Sequence, residues 1–167
     1  MERFFKNLKA KSASSVQDAN AILYPNKILI VTIDKVKEGF GISSSKITFL
    51  PIDSELELLG KTLRHHLSLT EIDLPIPDDY KKHYADFLKA AGFKNAKEHH
   101  KDALLLMVGQ KDNIITIQPT KNGGATGRNR GFLGFKCPNI ILNATINDSE
   151  LGEKIRFAWT KCEIVNQ

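Results

Sequence analysis

Cysteine is scarce in this chain: only Cys137 and Cys162 occur among 167 residues, far apart and without the paired spacing of a metal site. A disulfide-stapled scaffold or a zinc ribbon is therefore not the organising principle. Reduced thiols in a cytosolic protein are the expectation, with a bridge between the two as the lesser alternative. Long apolar runs are missing too. No stretch approaches the roughly 18 to 20 residues that span a bilayer, and Met1 to Ser15 lacks the apolar core of a secretory signal. A cytoplasmic protein without membrane contact is expected. Charge is not heavily one-sided: the net charge is +5, spread along the chain. Such a balance permits weak attraction to nucleic acid or to an acidic partner and demonstrates neither.

Catalytic motifs are equally sparse. There is no Gly-x-Ser-x-Gly elbow, and Cys137 beside Pro138 has only Lys136 nearby to lower its pKa. Gly60-Lys61-Thr62 echoes the end of a phosphate-binding loop, but position 55 is glutamate where that motif needs glycine, and the tripeptide falls inside a predicted helix. The histidines are His65 with His66, His83, and His99 with His100. Adjacent histidines on a helix point about 100° apart, so neither pair can face one ion. A metal-dependent hydrolase using His65, His83 or His99 is a remote reading; no metal and no cofactor are expected. Glu55 with Glu57, and Asp78 with Asp79, sit where helix starts favour negative charge, which explains them without acid/base chemistry.

What is present describes an ordinary folded protein. Hydrophobic residues make up 41% and charged residues 26%, and the length suits one domain over 1–167, with residues 1–18 a loose N-terminal arm. Ala21 to Tyr24 and Lys27 to Asp34 flank Pro25-Asn26 as a hairpin. After the Gly39-Phe40-Gly41 turn, Lys46 to Leu50 is a strand closed by Pro51. Asp53 or Ser54 caps a helix through about Leu69, with Leu56, Leu59, Leu63 and Leu67 as its buried stripe. A second helix opens at Asp78-Asp79, turns Tyr80, Tyr84, Phe87, Leu88 and Ala91 to one side, and ends at Gly92. A short helical turn spans Asn95 to Lys101. Ala103 to Val108 is a buried strand, and Gly109 to Asn113 turns it back. Asp148 or Ser149 caps a last helix with Leu151, Ile155, Ala158, Trp159 and Cys162 inward. Strands, helices, strands and a helix in that order alternate too little for a doubly wound sheet. The expected fold is α+β, a single domain with a largely antiparallel or mixed sheet and helices packed on it.

The stretch from Asn113 to Asn143 stands apart. Ile114 to Ile117 read as a strand that Pro119 ends or confines to a sheet edge, and Ile140 to Leu142 resume the β-branched pattern. Between them lie Gly123, Gly124, Gly127, Gly131 and Gly134 with Lys121, Arg128, Arg130 and Lys136. Connections beyond about 12 to 15 residues in a compact domain are usually functional or unstructured, so this segment is the expected working surface. Glycine amides and guanidinium forks suit a nucleic-acid or phosphate-binding module using residues 119–136; a merely solvated loop suits the same residues. The residues alone leave both open.

Several segments together resemble a known family. Gly39-Phe40-Gly41, Phe87-Leu88-Lys89-Ala90-Ala91-Gly92, Ile115-Thr116-Ile117-Gln118-Pro119-Thr120-Lys121-Asn122-Gly123-Gly124, and Glu150-Leu151-Gly152-Glu153 leading to Cys162 are similar to CdiI-type immunity proteins of bacterial contact-dependent growth inhibition. The similarity runs from about Gly39 to Glu163, and the Pro-Thr-Lys-Asn-Gly-Gly run is its most specific part. One departure lies in the loop, where Ala125 to Arg130 intervene before Gly131 and Phe132. The resemblance implies a cytoplasmic, non-enzymatic protein that binds the C-terminal toxin domain of its cognate CdiA one to one, without direct nucleic-acid contact. Such toxins are often nucleases. The expected contact residues are Lys121, Asn122, Arg128, Arg130, Phe132 and Lys136. Strand addition at the edge near Pro119, and an acidic patch of Glu55, Glu57, Glu71, Asp73, Asp78 and Asp79, are the two modes of contact left open.

Overall fold

The computed structural model describes residues 16–165. The expected N-terminal arm lies outside them except for its end, where Gln17 and Asp18 already belong to the first strand.

Alternation of apolar and polar residues builds a sheet of β1 (Gln17–Leu23), β2 (Lys27–Lys35), β3 (Gly41–Pro51), β4 (Leu104–Lys111), β5 (Ile114–Pro119) and β8 (Ile140–Asn143). Its order is β3-β2-β1-β4-β5-β8, and every pairing is antiparallel. The β1–β2 hairpin turns at Pro25-Asn26, as the sequence predicts. β4 runs on through Gly109 to Lys111, so the turn after it is confined to Asp112-Asn113, with Asp112 at φ +52°. A small second sheet joins β6 (Lys121–Asn122), β7 (Phe132–Leu133) and β9 (Glu163–Ile164), with β6 antiparallel to β7 and parallel to β9. The α+β expectation holds.

The expected sheet edge at Pro119 is confined to the end of the strand. β5 is paired on one side by β4 along its length, while β8 pairs Ile114 to Ile117 on the other and leaves Gln118 and Pro119 without a strand there. The ends of the large sheet are β3 and β8. The β-branched run forms a strand, with its hairpin partner β4 on one side and β8, from beyond the glycine-rich loop, on the other.

Helices α1 (Leu56–Ser68) and α4 (Asp148–Trp159) cover one face of the sheet. Leu59, Leu63 and Leu67 from α1 and Leu151, Ile155, Ala158 and Trp159 from α4 meet Ala19, Ala21, Ile28, Ile30, Leu106, Val108, Ile115 and Ile117. Each such aliphatic side chain contributes about 1.5–3 kcal/mol by leaving water. Trp159 also donates its indole N–H to the Ala21 carbonyl at 3.1 Å, so its polar atom costs nothing on burial. Leu56 of the predicted stripe is only half-buried.

The caps differ from the expected ones. Glu55 occupies the N-cap of α1 without a side-chain bond, because the Ser54 hydroxyl donates instead to Pro51 O at 2.7 Å. Asn147, not Asp148 or Ser149, caps α4, and with Glu150 it forms a capping box. Arg64 of α1 holds the segment before α4 by donating to Asp148 Oδ1 at 2.7 Å and Ala144 O at 2.8 Å.

The opposite face carries α2 (Tyr80–Ala90) and the short α3 (Ala96–His100). Asp79 caps α2 by accepting from the Lys81 and Lys82 amides. Gly92, at φ +74°, ends it: its amide donates to Lys89 O and the Phe93 amide to Leu88 O, a Schellman closure that only the left-handed backbone permits. Phe87, Leu88, Ala91 and Phe93 cover Ile22, Leu29, Val31 and Leu105. Ile33 and Ile47 pack against the same cluster, and the part of the face beyond it positions the site.

Candidate functional site

Strand periodicity sends alternate residues of β1 to each face. Ala19 and Ala21 lie under α1 and α4, whereas Asp18, Asn20 and Ile22 face the other way. Register carries this second row across the sheet: Asp18 stands opposite Gly109 and Ile33, Asn20 opposite Met107 and Val31, and Met107 opposite Gln118. Beyond the cover of α2 these residues form the floor of an open trough. Two adjoining cavities occupy it, of about 500 and 440 Å³, and Asn20, Ser43 and Met107 line both.

The glycine-rich segment forms one wall. After β5 the chain is pinned by the Thr120 hydroxyl, which donates to Leu105 O at 2.7 Å. Asn122 is 1% exposed. Its amide donates to His100 O at 2.6 Å and Ala103 O at 2.9 Å, and its carbonyl accepts the Gly124 amide at 2.9 Å. Gly123 N–H then meets Gly131 O, and Gly131 N–H meets Gly124 O, each at 2.8 Å. The intervening residues Ala125 to Arg130 are thereby looped out, and Phe132 returns opposite Asn122. The β6–β7 pairing runs on unbroken beside them.

Phe132 stacks on His100, with centroids 4.7 Å apart and planes at 15°, and meets His99 edge-on at 5.6 Å. His99 sits among Tyr24, Tyr84, Phe87 and Phe93. The Tyr24 hydroxyl donates to His99 O at 3.0 Å and so accepts from Nδ1–H at 2.8 Å. The same device recurs across the sheet, where Thr32 Oγ1 bonds His66 O and Nδ1, each at 2.9 Å, and Thr48 Oγ1 lies 2.8 Å from Nε2. Burial pushes both imidazoles down to about 4, aided at His99 by His100 and at His66 by His65.

A pH dependence follows. The folded pKa lies below the unfolded value near 6.5, so the unfolded chain takes protons first. Stability is therefore full above about pH 7, falls as pH drops below 6.5, and levels near 4. At about 1.4 kcal/mol per unit, each histidine costs up to roughly 3 kcal/mol. Urea midpoints at pH 7.5 and 5 should differ accordingly, and a His66→Gln/His99→Gln variant should flatten the slope. An equal slope in that variant would assign the loss to other groups, among them His100, which burial also pushes down.

Of the residues expected to make contact, Arg130 and Phe132 line the 440 Å³ cavity. Arg128 and Lys136 stand exposed beyond it, and Lys121 pairs with Glu163 at 3.4 Å. Asn122 faces inward and holds the wall from beneath. Sequence reasoning missed the trough residues Asn20, Ser43, Met107 and Gln118, and treated Tyr84 and His99 as helix packing or solvated positions. The signal was available in β1 and β5, where Asp18-x-Asn20 and Thr116-x-Gln118 place polar groups on one face of central strands. Among the described residues no group of three or more His, Cys, Asp or Glu is placed to hold a metal ion, and no helix is long and apolar enough to cross a membrane.

A profile of the CdiI family, described as CDI immunity protein, matches residues 17–162. No curated protein matches. Solved structures share the fold, two of them as follows. A protein of unknown function from Neisseria meningitidis superposes with a TM-score of 0.73 at 16% identity, covering 89% of this chain and 96% of that one. A chain from the CdiA-CT/CdiI toxin and immunity complex of Yersinia pseudotuberculosis superposes with a TM-score of 0.71 at 16% identity, covering 89% and 98%.

Proposed function

The chain belongs to the CdiI family of CDI immunity proteins, and on that premise we propose that it binds and neutralises the C-terminal toxin domain of its cognate CdiA, one to one, in the cytoplasm of the producing cell. The observation that carries this reading is the family match across residues 17–162. The toxin and immunity complex among its structural neighbours supports it. The toxin is a nuclease in this proposal, and the immunity protein acts without turnover of its own. To protect a cell, the inhibitor must keep the toxin almost fully bound, which asks for a dissociation constant near ~1 nM, about 12 kcal/mol.

The contact surface proposed is the open trough together with the loop wall: Lys121, Arg128, Arg130, Phe132 and Lys136 reach the partner, and Asn122 fixes their backbone. Overall charge does not drive the association, since a net charge of +5 is the wrong sign for a mimic of nucleic acid. Co-expression with the toxin should restore growth and yield a one-to-one complex; neither protection nor complex would end the proposal. Arg128→Glu with Lys136→Glu should weaken binding about tenfold, roughly 1.4 kcal/mol, and alter its salt dependence. Unchanged affinity would remove the basic rim from the surface.

A further inference from the structure

We propose that the cavity under Arg130 is a subsite for a single carboxylate side chain, an aspartate or glutamate of the toxin, with Arg130 as its counter-ion. This rests on the immunity reading and adds the chemistry by which the partner is recognised.

The cavity is walled by apolar and aromatic groups, among them Ile22, Leu105, Phe87 and Phe132. No aspartate or glutamate lines it, and Arg130 is its one permanently charged side chain. The two imidazoles beside it, His99 and His100, are held neutral by burial. Among the described residues Arg130 has no ion-pair or hydrogen-bond partner. Arg130 is exposed in the free protein, and an anion seated in the apolar-walled hollow beside it would pair with it at lower dielectric once the toxin covers the site. Its planar fork fits the two oxygens of a carboxylate.

Two further groups point the same way. The Tyr84 hydroxyl is the one buried side-chain polar atom among the described residues without a hydrogen-bond partner, and Tyr84 forms part of this wall. A buried hydroxyl without a partner calls for one, and a shift of the Tyr84 side chain would present it to an occupant of the cavity. Asn20, on the floor, likewise spends no side-chain bond within the described protein, and its amide is a second free donor.

Other occupants fit less well. A cation would meet Arg130 and find no carboxylate. A purely apolar side chain would cover the guanidinium and the phenol and satisfy neither. A phosphate carries more charge than one guanidinium balances, and Arg128 and Lys136 lie outside this cavity.

The test uses the full chain and its cognate toxin, with affinity read by calorimetry. Arg130→Ala should weaken binding at least thirtyfold while leaving the melting temperature unchanged, since Arg130 is exposed. Arg130→Lys should restore part of the loss, and Tyr84→Phe should weaken binding severalfold. Replacing toxin carboxylates singly by their amides should reveal one whose loss matches Arg130→Ala and adds nothing to it. Affinity of Arg130→Ala within twofold of wild type, or losses that simply add for every toxin carboxylate, would overturn the subsite and leave the immunity function standing. Absence of any wild-type complex would sink both. Tight, salt-sensitive binding of a single-stranded oligonucleotide by the protein alone, abolished in Arg130→Ala, would also overturn the proposal in favour of a phosphate site.

Discussion

Alanine at Gly60 or Gly152 should lower the melting temperature by about 10 °C. A Cβ on Gly60 would stand 1.9 Å from the Asp148 carbonyl oxygen, and one on Gly152 would stand 2.0 Å from that of Leu56. Both obstacles are backbone, so no side chain can swing aside. The two helices must part, and Leu59, Leu63, Leu151 and Ile155 lose the close contact that makes them a core. Overpacking costs about 1–3 kcal/mol and more where backbone must move. The gain in helix propensity, about 1 kcal/mol for glycine to alanine, offsets part of it. A net loss near 3 kcal/mol corresponds to about 10 °C at this chain length. Gly92→Ala is the control: its φ is +74° but nothing lies within 4 Å of the added methyl, so about 1 kcal/mol is expected. Thermal melts of the three variants decide the matter. Unchanged melting at Gly60 and Gly152 would mean that α1 and α4 do not cross at this distance.

Asn122→Ala should destabilise the protein by about 3 kcal/mol and weaken toxin binding in parallel, although Asn122 itself is buried. Its amide satisfies His100 O and Ala103 O, and its carbonyl takes the Gly124 amide. Truncation leaves three buried polar groups without that partner, at about 1–3 kcal/mol each before relaxation and water entry. Asn122→Asp should be worse, because a carboxylate oxygen would replace the donor facing two carbonyl oxygens. The damage should concentrate in residues 120–133, where faster amide exchange is the direct readout. Loss of toxin affinity with wild-type melting and exchange would instead make Asn122 a contact residue.

These two predictions mark where reading the chain in order succeeds and where it stops. The Pro119 to Gly124 run drew notice as a motif, and the polar character of Asn122 was read as a surface contact. Polarity in a loop does not reveal whether an amide faces solvent or two backbone carbonyls from another segment. Gly60 attracted attention through a chance echo of a phosphate loop. Its actual role depends on a backbone oxygen from Asp148, a partner that no local pattern announces. The edge expected at Pro119 shrinks to the last two residues for the same reason, since β8 pairs Ile114 to Ile117 from beyond the loop.

Interactions within a few residues were legible. Leu59, Leu63 and Leu67 recur at helical spacing; Gly92 supplies a left-handed cap; the β-branched runs alternate as strands. These follow from backbone sterics and periodic burial, which each segment carries in its own residues. The amino-acid order by itself thus determined the elements, the α+β class and the family resemblance. The tertiary structure alone decided that one sheet face stays partly bare, that Ala125 to Arg130 loop out beside it, and that Arg130, Tyr84 and Asn20 share one hollow. Those facts depend on which distant segments pair and at what register, and a shift of one residue would send every side chain of a strand to the other face.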